Sequence, residues 1–339
     1  MLALVLLALV VVAFAATRMT MLEWPVDPPD AVDFGLPGQS RLFQTLFTLE
    51  QEAADAGWLP DRAELAGRVW WELGNPREAV SYWQMAGSST SVRRRLAEAY
   101  LELGEWGFAS DTLKLLDVDM VDASLRAWSV MQLGLIHAAA DPQAARAWLE
   151  RAAAAETGYS DSLDALIDTL SVSSNPVRIG MALAHMGLWS FAEHAFADAP
   201  FDPVALAFTA LSREMQGKDG TSHLRSALEL GAGDSQVHYI EGLVYRQRLE
   251  YEDSLSAFIQ AVALHPDDPA LYAELGTAYQ LTGDLVSAEH WLQMAADLSG
   301  DGSRYADRLE ELRTEEAMLR EVIGLMIDDE QASESEDVP

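Results

Sequence analysis

The residue types with the most to offer chemically are seven histidines, 54 aspartates and glutamates, and ten tryptophans. The histidines are scattered. None stands in a His-Glu-x-x-His run, and none pairs with a carboxylate at metal-ligand spacing. His185 and His194 come nearest to a cluster, but the second falls on the following helix, where surface or packing roles fit better. Asp117, Asp119 and Asp122 lack the glycine and closing glutamate of a calcium loop. No Gly-x-Ser-x-Gly elbow presents a serine, and no glycine-rich loop cradles phosphate. The tryptophans invite a sugar-stacking reading. However, Trp70 and Trp83 fall at packing positions, Trp148 and Trp291 lie beside such positions, and Trp106 and Trp189 each follow a turn. No constellation meets the first requirement of an active site, a reactive group with a partner to orient it. The expectation is a non-enzymatic chain with no cofactor and no metal.

Composition narrows the partners. Half of the 339 residues are hydrophobic, enough to fold most of the chain, and the net charge is −32. Such a surface repels nucleic acid and anionic lipid headgroups and suits basic partners or plain solubility. Lys114 and Lys218 are the only lysines, so almost all cationic charge is arginine. The absence of cysteine excludes disulfides, thiolate metal sites and a lipidated N-terminal cysteine.

Residues 1–16 carry no charged side chain, and Arg18 closes the run. Two readings stand. Ala13, Phe14 and Ala15 form a signal-peptidase site and the mature protein is secreted, or residues 1–22 stay in the membrane with Trp24 at the interface. Arg18 favours a cytoplasmic body by the positive-inside rule, whereas likeness to N-terminal signal sequences favours export. A membrane anchor with an extracytoplasmic body, periplasmic or at the cell surface, is the reading taken. Residues 23–39, with four prolines and several aspartates, read as an extended polar linker.

The elements that would position any binding residue are helices. Residues 234–299 are one pattern written twice: Gly242 recurs as Gly276, Tyr245 as Tyr279 and Ala261 as Ala295, each about 34 residues on. Upstream, Gly67, Trp70, Gly74, Ala79, Trp83 and Ala86 keep the same spacing after Pro60, and Ala97, Tyr100, Gly104, Ala109, Leu113 and Leu116 follow. Small residues let two antiparallel helices approach, and large ones fill the space beside them. A third unit keeps Ala145, Leu149 and Ala152, with Leu133 and Ile136 at the glycine and aromatic places. Residues 156–174 do not fit, and 161–170 read as one extra helix. Gly180, Leu183, Gly187, Ala192, Phe196 and Ala199 resume the pattern, and a weaker unit puts Phe208 at the glycine place before Leu211, Leu224 and Ala227.

Ser40 can cap an N-terminal helix, 40–57, whose Leu42, Phe43, Leu46, Phe47 and Leu49 form one apolar face over the open end of the stack. At the other end, Tyr305, Leu309, Leu312, Leu319, Val322, Ile323 and Met326 make the stripe of a capping helix over 300–327. Residues 328–339 have the acidic, serine-containing composition of a disordered tail.

Residues 60–299 resemble the tetratricopeptide repeat family, with about seven units. The resemblance implies an all-α fold over 40–299, a right-handed superhelical solenoid of antiparallel helix pairs closed by the C-terminal helix. It also implies a concave groove lined by the first helix of each pair, and protein or peptide binding there. Groove positions carried onto this sequence are Glu64, Arg68 and Trp71, then Arg94, Glu98 and Leu101. In the last two units they are Tyr239, Leu243 and Arg246, then Ala273, Thr277 and Gln280. The Lys/Asn clamp with which some members hold a C-terminal carboxylate is missing. Arg68, Trp71, Arg94, Tyr239, Arg246 and Gln280 are the candidate partner-binding residues, with Trp71 the anchor. The expected function is a membrane-tethered scaffold that binds a protein segment in the groove, for instance during assembly of an envelope complex. The alternatives are a permanent subunit of a membrane complex and a glycan-binding solenoid.

Overall fold

The computed structural model describes residues 39–118, 122–154, 160–299, 305–314 and 317–318. The predicted anchor, residues 23–38 of the linker, the acidic tail and the stripe residues Leu319, Val322, Ile323 and Met326 lie outside the described residues. Among the described residues no helix is long and apolar enough to cross a membrane.

All regular structure described is α-helical. After α1 (Gln39–Ala56) come the pairs α2 (Pro60–Glu72) and α3 (Pro76–Met85), α4 (Thr90–Glu102) and α5 (Trp106–Val118), and α6 (Ala123–His137) and α7 (Pro142–Ala153). The single helix α8 (Ser160–Val172) follows. The pairs then resume as α9 (Pro176–His185) and α10 (Trp189–Phe196), and α11 (Pro203–Met215) and α12 (Thr221–Gly231). The last two are α13 (Ser235–Gln247) with α14 (Tyr251–Leu264), and α15 (Pro269–Thr282) with α16 (Leu285–Ser299). Residues 305–314 form a further helix, α17, whose Leu309 and Leu312 are buried against Ala288 and Leu292 of α16. The fold is an α-solenoid of helix pairs.

Local chemistry explains the boundaries. Five helices begin at an Asx-Pro step, at Asn75, Asp141, Asn175, Asp202 and Asp268. In each, the side chain accepts from an amide of the first turn, and proline takes a position whose N–H has no helical partner. Most pairs turn through a left-handed glycine. Gly74, Gly104 and Gly187 lie at φ 73°, 70° and 74°, and the amide that follows each donates to Trp70, Tyr100 and Leu183.

The helix crossings show why glycine recurs. A Cβ on Gly67 would lie 2.4 Å from the Trp83 indole, one on Gly180 2.4 Å from Phe196, and one on Gly242 2.7 Å from Phe258. Trp83, Phe196 and Phe258 are fully buried, so each ring is locked over the opposing backbone.

The structure corrects three details. In the third unit the residue at the crossing is Gly134, not Leu133, with Leu149 2.5 Å from its Cβ position. The α6–α7 turn runs through Ala138 without a left-handed glycine, and Gly134 and Leu149 are 15 residues apart where Gly67 and Trp83, Gly180 and Phe196, and Gly242 and Phe258 are 16 apart. In the fifth pair the tight approach is between Ala210 and Gly220, while Phe208 stacks on Phe196 of the preceding pair at 5.4 Å. On α1, Leu46 and Leu49 are buried, but Phe43 and Phe47 are 53% and 63% exposed, so the apolar face is wider than the surface it covers.

Candidate partner-binding groove

The six predicted binding residues fall into two groups. At the N-terminal end, Glu64, Arg68 and Trp71 on α2 and Arg94, Glu98 and Leu101 on α4 are all half-buried. The Glu64 carboxylate accepts from Ser91 Oγ at 3.0 Å and stands 4.0 Å from Arg95 Nε. That Nε is buried and makes no hydrogen bond. Burial and the neighbouring Arg68 guanidinium hold the Arg95 pKa below its ordinary value, with Arg94 adding to the effect and Glu98 and Glu64 opposing it. Arg94 Nε donates to Glu98 at 2.8 Å, and its guanidinium lies 5.8 Å from the ring centre of Trp128 on α6. The Trp71 ring sits 5.9 Å from the Trp83 ring, tilted by 41°. Trp83 Nε1 donates to the Glu64 carbonyl, which fixes the indole beneath the site. Arg94 and Arg95 thus meet Glu98 and Glu64, with the Arg68 guanidinium near Arg95, between two half-buried indoles.

The second group has its charge settled internally. Arg246 Nη1 donates to Glu274 Oε2 at 2.5 Å. Thr277 Oγ1 accepts from Arg308 of α17, so the capping helix already occupies that groove position. The Tyr239 ring lies 6.0 Å from Phe258, and Gln280 is half-buried on α15.

Between the two groups the groove positions are less exposed on α6 and α11. The corresponding positions Met131 and Leu135 on α6, Ala138 just after it, and Ala207 and Leu211 on α11 are buried, whereas Val177 and Met181 on α9 and Glu214 on α11 are half-buried. Gln236 Nε2 of α13 reaches Met181 Sδ of α9 at 3.7 Å, across the intervening α11. Buried positions on α6 and α11 therefore separate the two groups. Sequence reasoning missed Arg95 and Trp128. The Arg93-Arg94-Arg95 run, in a chain with 22 basic residues, carries a signal for the first. Trp128 is hidden by the shifted phase of the third unit.

No curated protein matches the chain. Among solved structures, the TPR2AB-domain–pHSP90 complex of yeast Sti1 is similar at 15% identity, covering 75% of this chain and 96% of that one, with a TM-score of 0.29. The human IFIT1 dimer with m7Gppp-AAAA is similar at 13% identity over 84% of this chain and 72% of that one, with a TM-score of 0.39. The APC/C hetero-tetramer Cut9-Hcn1 is similar at 13% over 82% and 88%, with a TM-score of 0.36. Residues 242–283 match a family model described as TPR repeat, which spans the end of α13 and all of α14 and α15. Such repeats are typically non-enzymatic interaction scaffolds, and no catalytic family is indicated. The chain carries a tetratricopeptide-repeat match over residues 242–283, set in an α-solenoid of helix pairs, and such a repeat supports a protein-interaction scaffold.

Proposed function

We propose that the chain is a membrane-tethered scaffold that takes a partner protein segment onto the α2–α4 end of its concave face, through an acidic side chain of that segment. The observation that carries this reading is Arg95. Its buried Nε lacks a hydrogen bond and faces a second guanidinium, Arg68, in a chain whose net charge is −32. A partner carboxylate at the part of the guanidinium that remains exposed relieves the repulsion. Trp71 and Trp128 flank the cluster and offer apolar area for a neighbouring partner side chain. Residues 1–22 supply the tether, with the body on the extracytoplasmic side.

The test is co-purification of the full-length chain from native membranes, beside a Trp71→Ala/Arg95→Gln variant whose helicity is checked by circular dichroism. The variant loses the partner, and short poly-glutamate, but not poly-lysine, displaces it from the unaltered chain. Equal recovery by the two chains removes the assignment. A second reading, a permanent subunit of a membrane complex, draws on the exposure of Phe43 and Phe47. A stoichiometric assembly on size-exclusion in mild detergent would favour it.

A further inference from the structure

One contact joins parts of the stack that are not neighbours in sequence. Trp106, the first residue of α5, stacks on His194 of α10 with ring centres 4.7 Å apart and planes at 26°. Its indole also lies 5.3 Å from Phe191, one turn earlier on α10. Beside this stack, His137 at the end of α6 shares a hydrogen bond with the buried Ser110 of α5, Nε2 to Oγ at 3.1 Å. Three helices, α7, α8 and α9, separate α6 from α10 along the chain, and four separate α5 from it. The contact therefore ties the second and third pairs to the fourth and bridges the place where the lone α8 interrupts the alternation.

We propose that the Trp106–His194–His137 contact is a pH-sensitive joint, which holds α10 against α5 and α6 when both imidazoles are neutral and releases it when both take up a proton. The groups that face the histidines set the sense of the response. Burial holds both imidazoles below the ordinary histidine range; Lys114 of α5 adds to this at His137, and His137 adds to it at His194. Asp141 in the α6–α7 turn opposes the shift at His137, and Asp198 beyond α10 opposes it at His194. One proton is tolerable, because an imidazolium over the Trp106 face gains cation–π attraction. A second places two cations and Lys114 in one half-buried site. Release frees the ends of the solenoid to change their angle, and with it the presentation of the α2–α4 face.

The native full-length chain in detergent provides the first test. Hydrogen exchange, corrected for the intrinsic rate, is compared at about pH 7.5 and about pH 5.5. Amides of α10 and the start of α5 lose protection roughly tenfold at the lower pH, while those of α2 and α15 hold theirs. A uniform change, or none, overturns the proposal. The chain has no cysteine, so Glu72→Cys and Glu252→Cys admit a clean spin-label pair across the joint. The inter-label distance distribution shifts on acidification and stays fixed in the His137→Gln/His194→Gln background. The same shift in that background also overturns it.

Discussion

Leu249 holds, at φ 64°, the left-handed turn position that Gly283 holds at φ 86° in the next unit. Both turns close with the same bond, Glu250 N to the Tyr245 carbonyl at 2.9 Å and Asp284 N to Tyr279 at 3.0 Å. A side chain raises the energy of that backbone conformation, and Leu249 recovers little by packing because it is 69% exposed. Leu249→Gly is therefore expected to stabilise the chain by about 0.5–1 kcal/mol, offset in part by the greater freedom of glycine in the unfolded state. Chemical denaturation measures it; a destabilised variant would show that the Leu249 side chain packs more than its exposure indicates.

Glycine at a crossing behaves in the opposite way. Gly67→Ala places a methyl 2.4 Å from a ring that is 1% exposed and hydrogen-bonded through its Nε1. A loss of about 2–3 kcal/mol is expected. Gly107→Ala in α5, where nothing lies within 4 Å, is the control and should gain a fraction of that.

Arg248 locks two pairs together. Its Nη2 donates to Glu214 at 2.5 Å and to Thr221 at 2.9 Å, while Glu214 also accepts from Gly220 N at 2.9 Å. Burial raises the Glu214 pKa, but the hydrogen bonds from Arg248 and Gly220 and the Arg248 charge outweigh it and leave the carboxyl below its ordinary value. This stabilisation is present above the ordinary carboxylate range and is lost as pH falls through the lowered value. Arg248→Met leaves the carboxylate unpaired and is expected to cost about 2 kcal/mol at neutral pH, with less effect in acid. Thermal melts of both chains across pH give the sign directly.

The histidine pair sets a second, higher window. Both folded-state values lie below the unfolded one, so stability is full above the ordinary histidine range and declines as pH falls from about 6.5 toward the lowered values. The midpoint of thermal unfolding should fall over that interval in the native chain. His137→Gln/His194→Gln should flatten the slope there and leave the carboxylate limb below it unchanged.

Much of this architecture is legible in residues alone. The recurrence of Gly242 as Gly276 sets the period, and the Asx-Pro steps mark where helices start, because both are local requirements of backbone and cap. Pro60 and Gly74 bracket the first helix of the first pair in the same way. Gly134 is not legible by counting, since one residue fewer between it and Leu149 shifts the phase without changing the hydrophobic pattern. The curvature that brings Met181 and Gln236 together across a helix is invisible for a different reason: no local rule specifies how sharply a stack curves. Arg68, Arg94 and Trp71 are found from spacing, whereas the buried donor of Arg95 emerges only once Glu64 and Arg68 are seen beside it.

The lone α8 and the contact it makes necessary also bear on how such a chain changes length over evolution. A pair such as α15–α16 meets its surroundings through its immediate neighbours, so units toward the C-terminal end can be duplicated or lost with the loss or gain of a single interface. The segment from α5 to α10 does not divide in that way. Removing any one helix from it separates Trp106 from His194 or leaves Phe191 without cover. Length variation among related chains is expected to concentrate at the ends, while α5–α10 is inherited as one block.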